Sequence, residues 1–393
     1  MSHSSVTRRH KSGLRAHATA WGWAALWALP WAAPVIAAAP PHPGLNDTGQ
    51  LRCYAPVWDG PEVPCEGTGQ DGDSGRDLSH RKGHDGYAGF SYQKVGASGE
   101  FLPPSATEWA CVLDRVTGLM WEMKTADGGL HDGLRTYTNL GNGDSGDVSG
   151  FMQAVNAAGL CGHQDWRVPS RMELQSIVNY GRAQPMIVLA WFPHTRDWIY
   201  WTSTRDVDDI FGGHWTVSFQ YGVSVGGGAN ENQNSARLVR GGRLPRSEHA
   251  AARFVAEGDK VTDRRTGLVW RRCAEGAEWN GTTCTGRARM VTWQTALELA
   301  QAANHDGAAW RLPNATELFS LVDDSRFSPA INVAIFPGMY GLPIDRFWSS
   351  TPRRADGMYL DAYVVDFFSG WLVSDSVDDF YRRVLRLVRV DPP

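Results

Sequence analysis

Several signatures of common chemistry are absent from this 393-residue sequence. It has no C-x-x-C pair, no zinc-ligand spacing, no nucleophile motif and no Gly-rich phosphate loop. Without such motifs the sequence gives no support for a metalloenzyme, a covalent hydrolase or a nucleotide-binding enzyme. It therefore predicts a protein that is not an enzyme and that has no cofactor.

Positive charge is also scarce. The chain has 38 Lys and Arg against 42 Asp and Glu, and four of the basic residues lie at its N-terminus. The sequence has no basic stripe of the kind that binds nucleic acid, so no nucleic-acid partner is predicted. The places to look for a local basic patch are Arg237, Arg240, Arg243, Arg246, Arg382, Arg383, Arg386 and Arg389.

No apolar run is both long and unbroken enough to favour a membrane span. The run from 21 to 36 is interrupted by two prolines, follows a basic segment and precedes three alanines. This order is typical of a secretory signal peptide. We predict that residues 1–38 are a signal peptide, cleaved after Ala37 or Ala38, and that the protein is exported to the periplasm, the cell surface or the medium. The alternative is an uncleaved N-terminal anchor.

Export gives the six cysteines a structural meaning. Outside the cytoplasm they are expected to form three disulfides rather than a metal site. Six cysteines allow fifteen connectivities. Nearness in sequence favours the pairs Cys53 with Cys65, Cys111 with Cys161, and Cys273 with Cys284.

What the sequence does contain is a long repeat. The segment 166–174, WRVPSRMEL, returns at 310–318 as WRLPNATEL. Four further anchors recur in the same order at offsets between 144 and 149 positions: DRVTGLMW with DRRTGLVW, FP with FP, WTST with WSST, and RLVR with RLVR. This period is far longer than a solenoid repeat, so each copy is expected to be a domain with its own core. The predicted boundaries are 39–109 for an irregular Gly- and Asp-rich extension, 110–242 for the first copy and 253–393 for the second.

The repeated motif predicts the start of a helix. Ser170 is an N-cap and Glu173 completes a capping box, which indicates a helix over Ser170–Gly181. The second copy has the same spacing at Asn314 and Glu317. Earlier helices are predicted at about 150–159 and 292–304.

Strand patterns flank the helices. Alternation at 254–270, 362–372 and 384–390 predicts two hairpins and a closing half-buried strand. Strands around a central pair of helices indicate an α+β fold with a mainly antiparallel sheet in each copy.

The polar residues of the repeated motif have a structural interpretation. Arg167 and Arg311 are favoured as buried ion pairs over the alternative, a guanidinium presented to an anionic ligand. The capping positions explain Glu173 and Glu317 without a general acid. The pairs His163 with Asp165 and His305 with Asp306 recur before the motif and are interpreted as loop residues that satisfy backbone groups.

Carboxylate clusters and unpaired aromatics supply the candidate binding residues. Asp206, Asp208, Asp209, Asp323 and Asp324 are candidate Ca²⁺ ligands, but neither cluster has EF-hand spacing, so a solvated acidic loop is favoured. Among the 18 tryptophans, six recur at paired positions and are predicted to be core: Trp121, Trp166, Trp201, Trp270, Trp310 and Trp348. The candidate ligand-binding residues are Trp371, Tyr221, Trp215, Arg240 and Arg243.

The ordered motifs resemble a known family. Thr-Gly-Leu-x-Trp, Trp-Arg-[VL]-Pro-x-x-x-Glu-Leu, Trp-[TS]-Ser-Thr and a closing Arg-Leu-Val-Arg, found twice, are similar to the DUF1566 family, also called the C-terminal domain of the Legionella collagen-like protein. The last elements also resemble, more distantly, the formylglycine-generating-enzyme and C-type-lectin-like superfamily. The resemblance implies two tandem C-type-lectin-like domains in an exported bacterial protein that attaches to glycans or surfaces.

Three hypotheses for function follow from these patterns. The first is a noncatalytic binding or adhesion protein whose partner is an extracellular glycan or a surface protein. The second is an enzyme on a formylglycine-generating-enzyme-like scaffold. Such enzymes hold copper with a cysteine pair late in the domain, whereas the last cysteine here is Cys284. The third is a structural component of a surface appendage. Function is expected in the loops where the two copies differ.

Overall fold

The computed structural model describes residues 44–75, 85–242, 253–304, 309–339, 346–355 and 359–390. The predicted signal peptide, Arg243, Arg246, His305 and Asp306 lie outside the described residues. The described part of the chain is built mainly from antiparallel sheets with four α-helices. None of its helices has the length and apolar composition that crossing a membrane requires.

The N-terminal segment begins with a small disulfide-linked unit. Its strands are β1 (Cys53–Tyr54) and β2 (Glu62–Val63), which pair antiparallel. A 3-10 helix follows at Asp71–Asp73. The Cys53–Cys65 disulfide closes this unit.

The first copy contains a five-stranded antiparallel sheet. Its strands are β3 (Tyr92–Val95), β4 (Phe101–Leu102), β5 (Cys111–Asp114), β6 (Met120–Glu122) and β10 (Val239–Arg240). They lie in the order β10-β6-β5-β3-β4. Because β3 pairs with β5 inside this sheet, the segment 39–109 is not wholly irregular. Its last part completes the first copy.

The second copy contains the matching sheet in a simpler form. Its strands are β11 (Phe254–Glu257), β12 (Lys260–Asp263), β13 (Leu268–Arg271) and β19 (Val388–Val390). They lie in the order β11-β12-β13-β19, so β11 has the place that β3 has in the first copy. A separate hairpin is formed by β14 (Ala277–Trp279) and β15 (Cys284–Gly286). The closing strand is shorter than the predicted 384–390.

A third sheet joins the two copies. The first copy contributes β7 (Ile199–Arg205), β8 (His214–Ser218) and β9 (Ser224–Gly228). The second copy contributes β16 (Arg346–Ala355), β17 (Tyr359–Asp366) and β18 (Trp371–Ser376). The order β16-β17-β18-β9-β8-β7 makes one six-stranded sheet, in which Leu372 of β18 lies opposite Ser224 of β9.

Two helices lie in each copy, as predicted, but their lengths differ from the prediction. They are α1 (Val148–Ala158), α2 (Arg171–Gln175), α3 (Trp293–Ala302) and α4 (Ala315–Phe319). Both predicted capping boxes are present, with N-caps Ser170 and Asn314. The predicted helix to Gly181 ends earlier, at Gln175. The amides of 176–178 still bond to the preceding turn, but those of Asn179 and Tyr180 donate to the carbonyls of Met186 and Thr48 at 2.8 and 2.7 Å, so the helix cannot continue.

The three predicted disulfides are all formed. Cys111–Cys161 ties β5 of the first copy to the turn after α1, and Cys273–Cys284 closes the β14–β15 hairpin. No cysteine is free. The six paired tryptophans are buried, as predicted for core residues.

The apolar core is only partly divided between the copies. One cluster around Phe151 and Trp166 belongs to the first copy, and one around Trp293 and Trp310 lies mainly in the second. A further cluster contains side chains of both. Its members include Ile177, Val178, Tyr180, Phe219, Phe319, Val322, Tyr363 and Leu372. Each copy therefore has a core of its own, but the two also bury a common apolar surface.

The segment 46–50 ties both copies together. The side chain of Asn46 donates to the Asp114 carboxylate of the first copy at 2.6 Å. Gln50 donates from Nε2 to the carbonyls of Tyr180 in the first copy and Pro352 in the second, both at 3.2 Å. This bridging segment therefore satisfies buried polar groups on both sides of the junction.

A buried carboxyl group lies under the bridging segment. Asp71 Oδ2 accepts hydrogen bonds from the hydroxyls of Thr48 at 2.7 Å and Thr351 at 2.6 Å. Burial, followed by the nearby charge of Asp47, raises the pKa of Asp71 to about 8, against the lowering effect of the two hydroxyl hydrogen bonds. At neutral pH Asp71 is therefore mostly protonated in the folded protein.

Replacing Asp71 with Asn is expected to flatten the pH dependence of stability. In the unfolded chain an Asp ionises near pH 4, whereas folded Asp71 keeps its proton until about pH 8. The native protein consequently loses stability as pH rises through this window. The variant should lack that contribution, which is at most about 1.4 kcal/mol per pH unit. Urea unfolding between about pH 5 and 8 measures the difference, with exposed Asp59→Asn as the charge control, and parallel curves for the wild type and Asp71→Asn would contradict the assignment.

Candidate functional site

The repeated motif forms a structural ion pair in each copy. The guanidinium of Arg167 binds both carboxylate oxygens of Glu173 at 2.7 Å, and Arg311 binds Glu317 at 2.6 Å. The same glutamates accept the backbone N–H of the N-cap residues at 2.8 and 2.9 Å. The pairs hold the entrance of each short helix, as favoured from the sequence.

Electrostatics reinforce the pair in the second copy. Burial by itself disfavours the charged form of Arg311, but the carboxylate of Glu317 outweighs it and raises the pKa of the guanidinium. Asp47 and Asp71 act in the same direction. The positive charge of Arg311 is therefore balanced by carboxyl groups inside the protein.

A cleft of about 680 Å³ opens beside the joint sheet and has one wall from each copy. The first copy lines it with Asp206, Asp208, Asp209, Phe211, Gly213, Gly226, Ala229, Asn230 and Glu231. The second lines it with Phe327, Arg346, Asp366, Phe368, Ser369 and Trp371. Its volume is in the range of small-molecule sites. We call it the inter-copy cleft.

The acidic wall is the loop between β7 and β8. Asp209 accepts the backbone N–H groups of Phe211 at 2.8 Å and Gly213 at 3.1 Å. Asp206 accepts the amide of Asp208 at 3.1 Å. Burial raises the pKa of Asp206, against the lowering effect of this hydrogen bond. The loop is thus shaped by its own carboxylates, and its apolar tip is left in solvent, with Phe211 89% exposed.

The opposite wall is aromatic. Phe327 and Phe368 meet edge to face with ring centroids 5.0 Å apart. Trp371 begins β18 and is 37% exposed. Arg346 pairs with Asp366 at 3.1 Å and with Asp375 at 3.2 Å. This wall therefore offers aromatic surface beside an arginine whose charge is already balanced.

A buried arginine crosses the junction beneath the cleft. Arg171 of α2 is fully buried, and its Nη2 lies 2.5 Å from Asp324 Oδ1 in the second copy. The guanidinium carbon lies 3.5 Å from the centroid of the Trp215 ring. Nη1 of Arg171 and Nε1 of Trp215 have no hydrogen-bond partner among the described residues. A Cβ on Gly370, the residue before Trp371, would lie only 3.0 Å from Arg171 Nη2.

The candidate Ca²⁺ ligands are not brought together as one set. Asp206 and Asp208 line the inter-copy cleft, whereas Asp324 is paired with Arg171. Asp323 accepts from Ser325 and pairs with Arg326 at 3.0 Å. In the described part of the chain, no group of three His, Cys, Asp or Glu side chains is placed to hold a metal ion.

The candidate ligand-binding residues separate in the same way. Trp371 lines the inter-copy cleft. Of the other candidates, those that the structure describes do not line it. Trp215, also predicted as a candidate ligand-binding residue, does not present a surface to a ligand: it is 3% exposed because it packs under Arg171. Tyr221 is 40% exposed but lies at the β8–β9 turn, outside the lining. Arg240 is bound to Asp165 at 2.7 Å.

The arginines considered for a local basic patch do not all lie on the surface. Arg237 and Arg386 are fully buried rather than exposed. Arg237 donates to the carbonyl of Glu122, and Arg386 donates to that of Arg271 at 2.8 Å. Burial lowers the pKa of Arg386 to about 9. These two arginines therefore bridge buried backbone carbonyls instead of presenting charge to a ligand.

Several cleft residues were not identified from the sequence. Phe211, Glu231, Phe368 and Asp366 carry no motif, and their roles depend on loops of two copies meeting across a sheet junction. One feature of the sequence could have indicated them. The β7–β8 loop differs between the copies, and it places an Ile-Phe pair among acidic residues, where apolar side chains exposed to solvent are unusual.

Comparison with known proteins gives one family. The family model for the Lcl C-terminal domain matches residues 110–240 and 259–389, which together make up well over half of the chain. The two matched segments coincide with the two copies inferred from the repeat. No curated protein sequence matches the chain.

The buried pair between Arg171 and Asp324 is expected to be asymmetric in its contribution to stability. Asp324→Asn leaves an uncompensated guanidinium in the interior and should cost about 2–4 kcal/mol of unfolding free energy. Arg171→Met keeps apolar contact with Trp215 and leaves Asp324, whose side chain is 27% exposed, to be hydrated. It should cost less, about 1–2 kcal/mol.

Urea unfolding of both single variants and the double variant measures this asymmetry. The exposed pair of Arg240 and Asp165 is the matched control, and Asp165→Asn should change stability by no more than about 0.5 kcal/mol. If Asp324→Asn lowered the free energy of unfolding by no more than Arg171→Met does, the asymmetric role of the pair would be contradicted.

Proposed function

Because the chain belongs to the Lcl C-terminal domain family, with two tandem copies of the domain, we propose that it is an exported, noncatalytic binding protein that recognises an extracellular saccharide. The ligand site in this proposal is the inter-copy cleft. The finer part of the fold assignment, that each copy is a C-type-lectin-like domain, is part of the same proposal.

One observation carries the proposal: the cleft exists only because two copies are joined. An acidic wall from the first copy faces an aromatic wall from the second across about 680 Å³. Sugars present apolar C–H faces and hydroxyl edges, so a site for them combines aromatic side chains with carboxylate, amide and hydroxyl groups. Trp371, Phe211, Asp208 and Asn230 supply this combination.

The polar contacts of two cleft carboxylates, Asp209 and Asp366, support a structural role for these two residues. Asp209 is held by two backbone N–H groups, and Asp366 by Arg346 and the amide of Phe368 at 2.9 Å. A general acid or nucleophile needs a partner that activates it. These carboxylates instead serve to shape their loops.

Export is supported by the disulfides. Three disulfides involve all six cysteines, and such bonds persist in oxidising compartments. An extracellular saccharide or envelope polymer is the ligand class that such a location offers.

Replacing Trp371 with Ala is expected to weaken ligand binding by about tenfold or more, which is ~1.4 kcal/mol, through the loss of aromatic contact. A glycan array that includes neutral, amine-bearing and sulfated polymers, read at low and high salt, provides the ligand. Trp58→Ala is the matched control because Trp58 is also a surface tryptophan, 45% exposed, and lies outside the cleft lining. The proposal fails if no glycan or surface fraction binds, or if Trp58→Ala weakens binding and Trp371→Ala does not.

A further inference from the structure

The charge of the inter-copy cleft restricts its ligand more narrowly than its shape does. Five lining side chains are carboxylates: Asp206, Asp208, Asp209, Asp366 and Glu231. Arg346 is the single basic residue of the described lining. Its charge is balanced by Asp366 and by Asp375, which lies outside the lining.

The remaining carboxylates leave a surplus of negative charge. Asp206, Asp208, Asp209 and Glu231 form no ion pair with a basic side chain among the described residues, and the nearby guanidinium of Arg171 is already bound to Asp324. Asp208 and Glu231 are exposed, so their charges face any molecule that enters. A sulfated or carboxylated saccharide would be repelled from this cleft.

The aromatic wall, like the acidic wall, favours a positively charged ligand. Trp371, Phe368 and Phe327 present ring surface next to the carboxylates. The face of an aromatic ring carries negative potential and attracts ammonium groups, most strongly for tryptophan. A protonated amine between the two walls therefore gains from both.

The hydrogen-bonding groups favour a saccharide as the carrier of that amine. Ser369 lines the cleft, and its buried hydroxyl oxygen has no partner among the described residues. Because that oxygen is buried, it can pair with a hydroxyl of the ligand only after the Ser369 side chain turns towards the cleft. The amide of Asn230 is already bonded to His214 at 2.8 Å and to the carbonyl of Gly212 at 3.2 Å, so the exposed carboxylate of Asp208 is the group at this wall that can accept further hydroxyl contacts.

We propose that the inter-copy cleft selects saccharides that carry free, protonated amino groups, over their N-acetylated forms and over sulfated saccharides. This inference rests on the proposed function, since it names the ligand class of the same site. The amine lies between the exposed carboxylates of the β7–β8 and β9–β10 loops and the face of Trp371. The sugar ring packs against the aromatic wall.

The test compares matched ligands on the full chain by calorimetry at about pH 6. The probes are a β-1,4-linked glucosamine tetramer with free amines, the same tetramer fully N-acetylated, a heparin-derived tetrasaccharide and tetralysine. The free-amine tetramer is expected to bind at least about tenfold more tightly than the acetylated one. This advantage should shrink as salt is raised from about 0.05 to about 0.5 M.

Charge variants test the site itself. Asp208→Asn and Glu231→Gln remove exposed carboxylates of the cleft and are each expected to weaken binding of the free-amine tetramer severalfold, with no loss for the acetylated tetramer. Glu278→Gln makes the same change in net charge on the exposed β14–β15 hairpin and should have no effect. Trp371→Ala should weaken binding of both tetramers.

The outcomes separate the inference from the proposed function. Equal or tighter binding of the acetylated or the sulfated saccharide, with Trp371→Ala still harmful, overturns the amine preference and leaves the saccharide site standing. Tighter binding of tetralysine than of the free-amine tetramer overturns the saccharide class in favour of a basic peptide. If none of the three saccharides binds, the inference fails, and the proposed function fails with it only if the glycan array is negative as well.

Discussion

The pairing of β9 with β18 is the constraint on which the rest of the structure depends. Each copy ends its group of three strands with an edge that would otherwise present unpaired N–H and C=O groups. Joining the two edges where Leu372 lies opposite Ser224 covers both at that point and creates one six-stranded sheet. The same pairing brings the β7–β8 loop of one copy opposite the β17–β18 turn of the other. The inter-copy cleft is therefore a consequence of how the edges are satisfied.

The junction requires buried charge to be compensated on both sides. Arg171 reaches across to Asp324, and the bridging segment 46–50 satisfies polar groups of both copies through Asn46 and Gln50. Removing one member of a buried pair costs more than the pair contributes as a whole. A chain with one copy would expose an apolar face and leave Arg171 without its carboxylate. The two copies thus form a single structural unit, even though each retains a core of its own.

Duplication also explains why the conspicuous motif has a structural role in both copies. The Trp-Arg-[VL]-Pro-x-x-x-Glu-Leu segments have the same role in both copies, because each stabilises the start of a five-residue helix. The cleft uses residues that have no counterpart role in the other copy. Phe211 and Asp208 come from one copy, and Trp371 and Phe368 from the other. An asymmetric cleft therefore arises from two similar domains that meet through different loops.

The sequence by itself determined the repeat, the capping boxes at Ser170 and Asn314, the three disulfides and the burial of the paired tryptophans. These depend on local spacing and on residue chemistry, which are visible along the chain.

The sequence also predicted Trp371, Asp206 and Asp208 as candidate binding residues, but it contained no reason to group them. The burial of Trp215, a candidate ligand-binding residue, and of Arg386, a candidate for a basic patch, could not be predicted, because burial of an aromatic or a guanidinium depends on what packs over it. Only the tertiary structure decided that β3 belongs to the first copy, that Arg171 pairs with Asp324, and that two loops about 160 residues apart line one cleft. Such contacts follow from which strand edges pair, and edge pairing between distant segments leaves no periodic signal in the sequence.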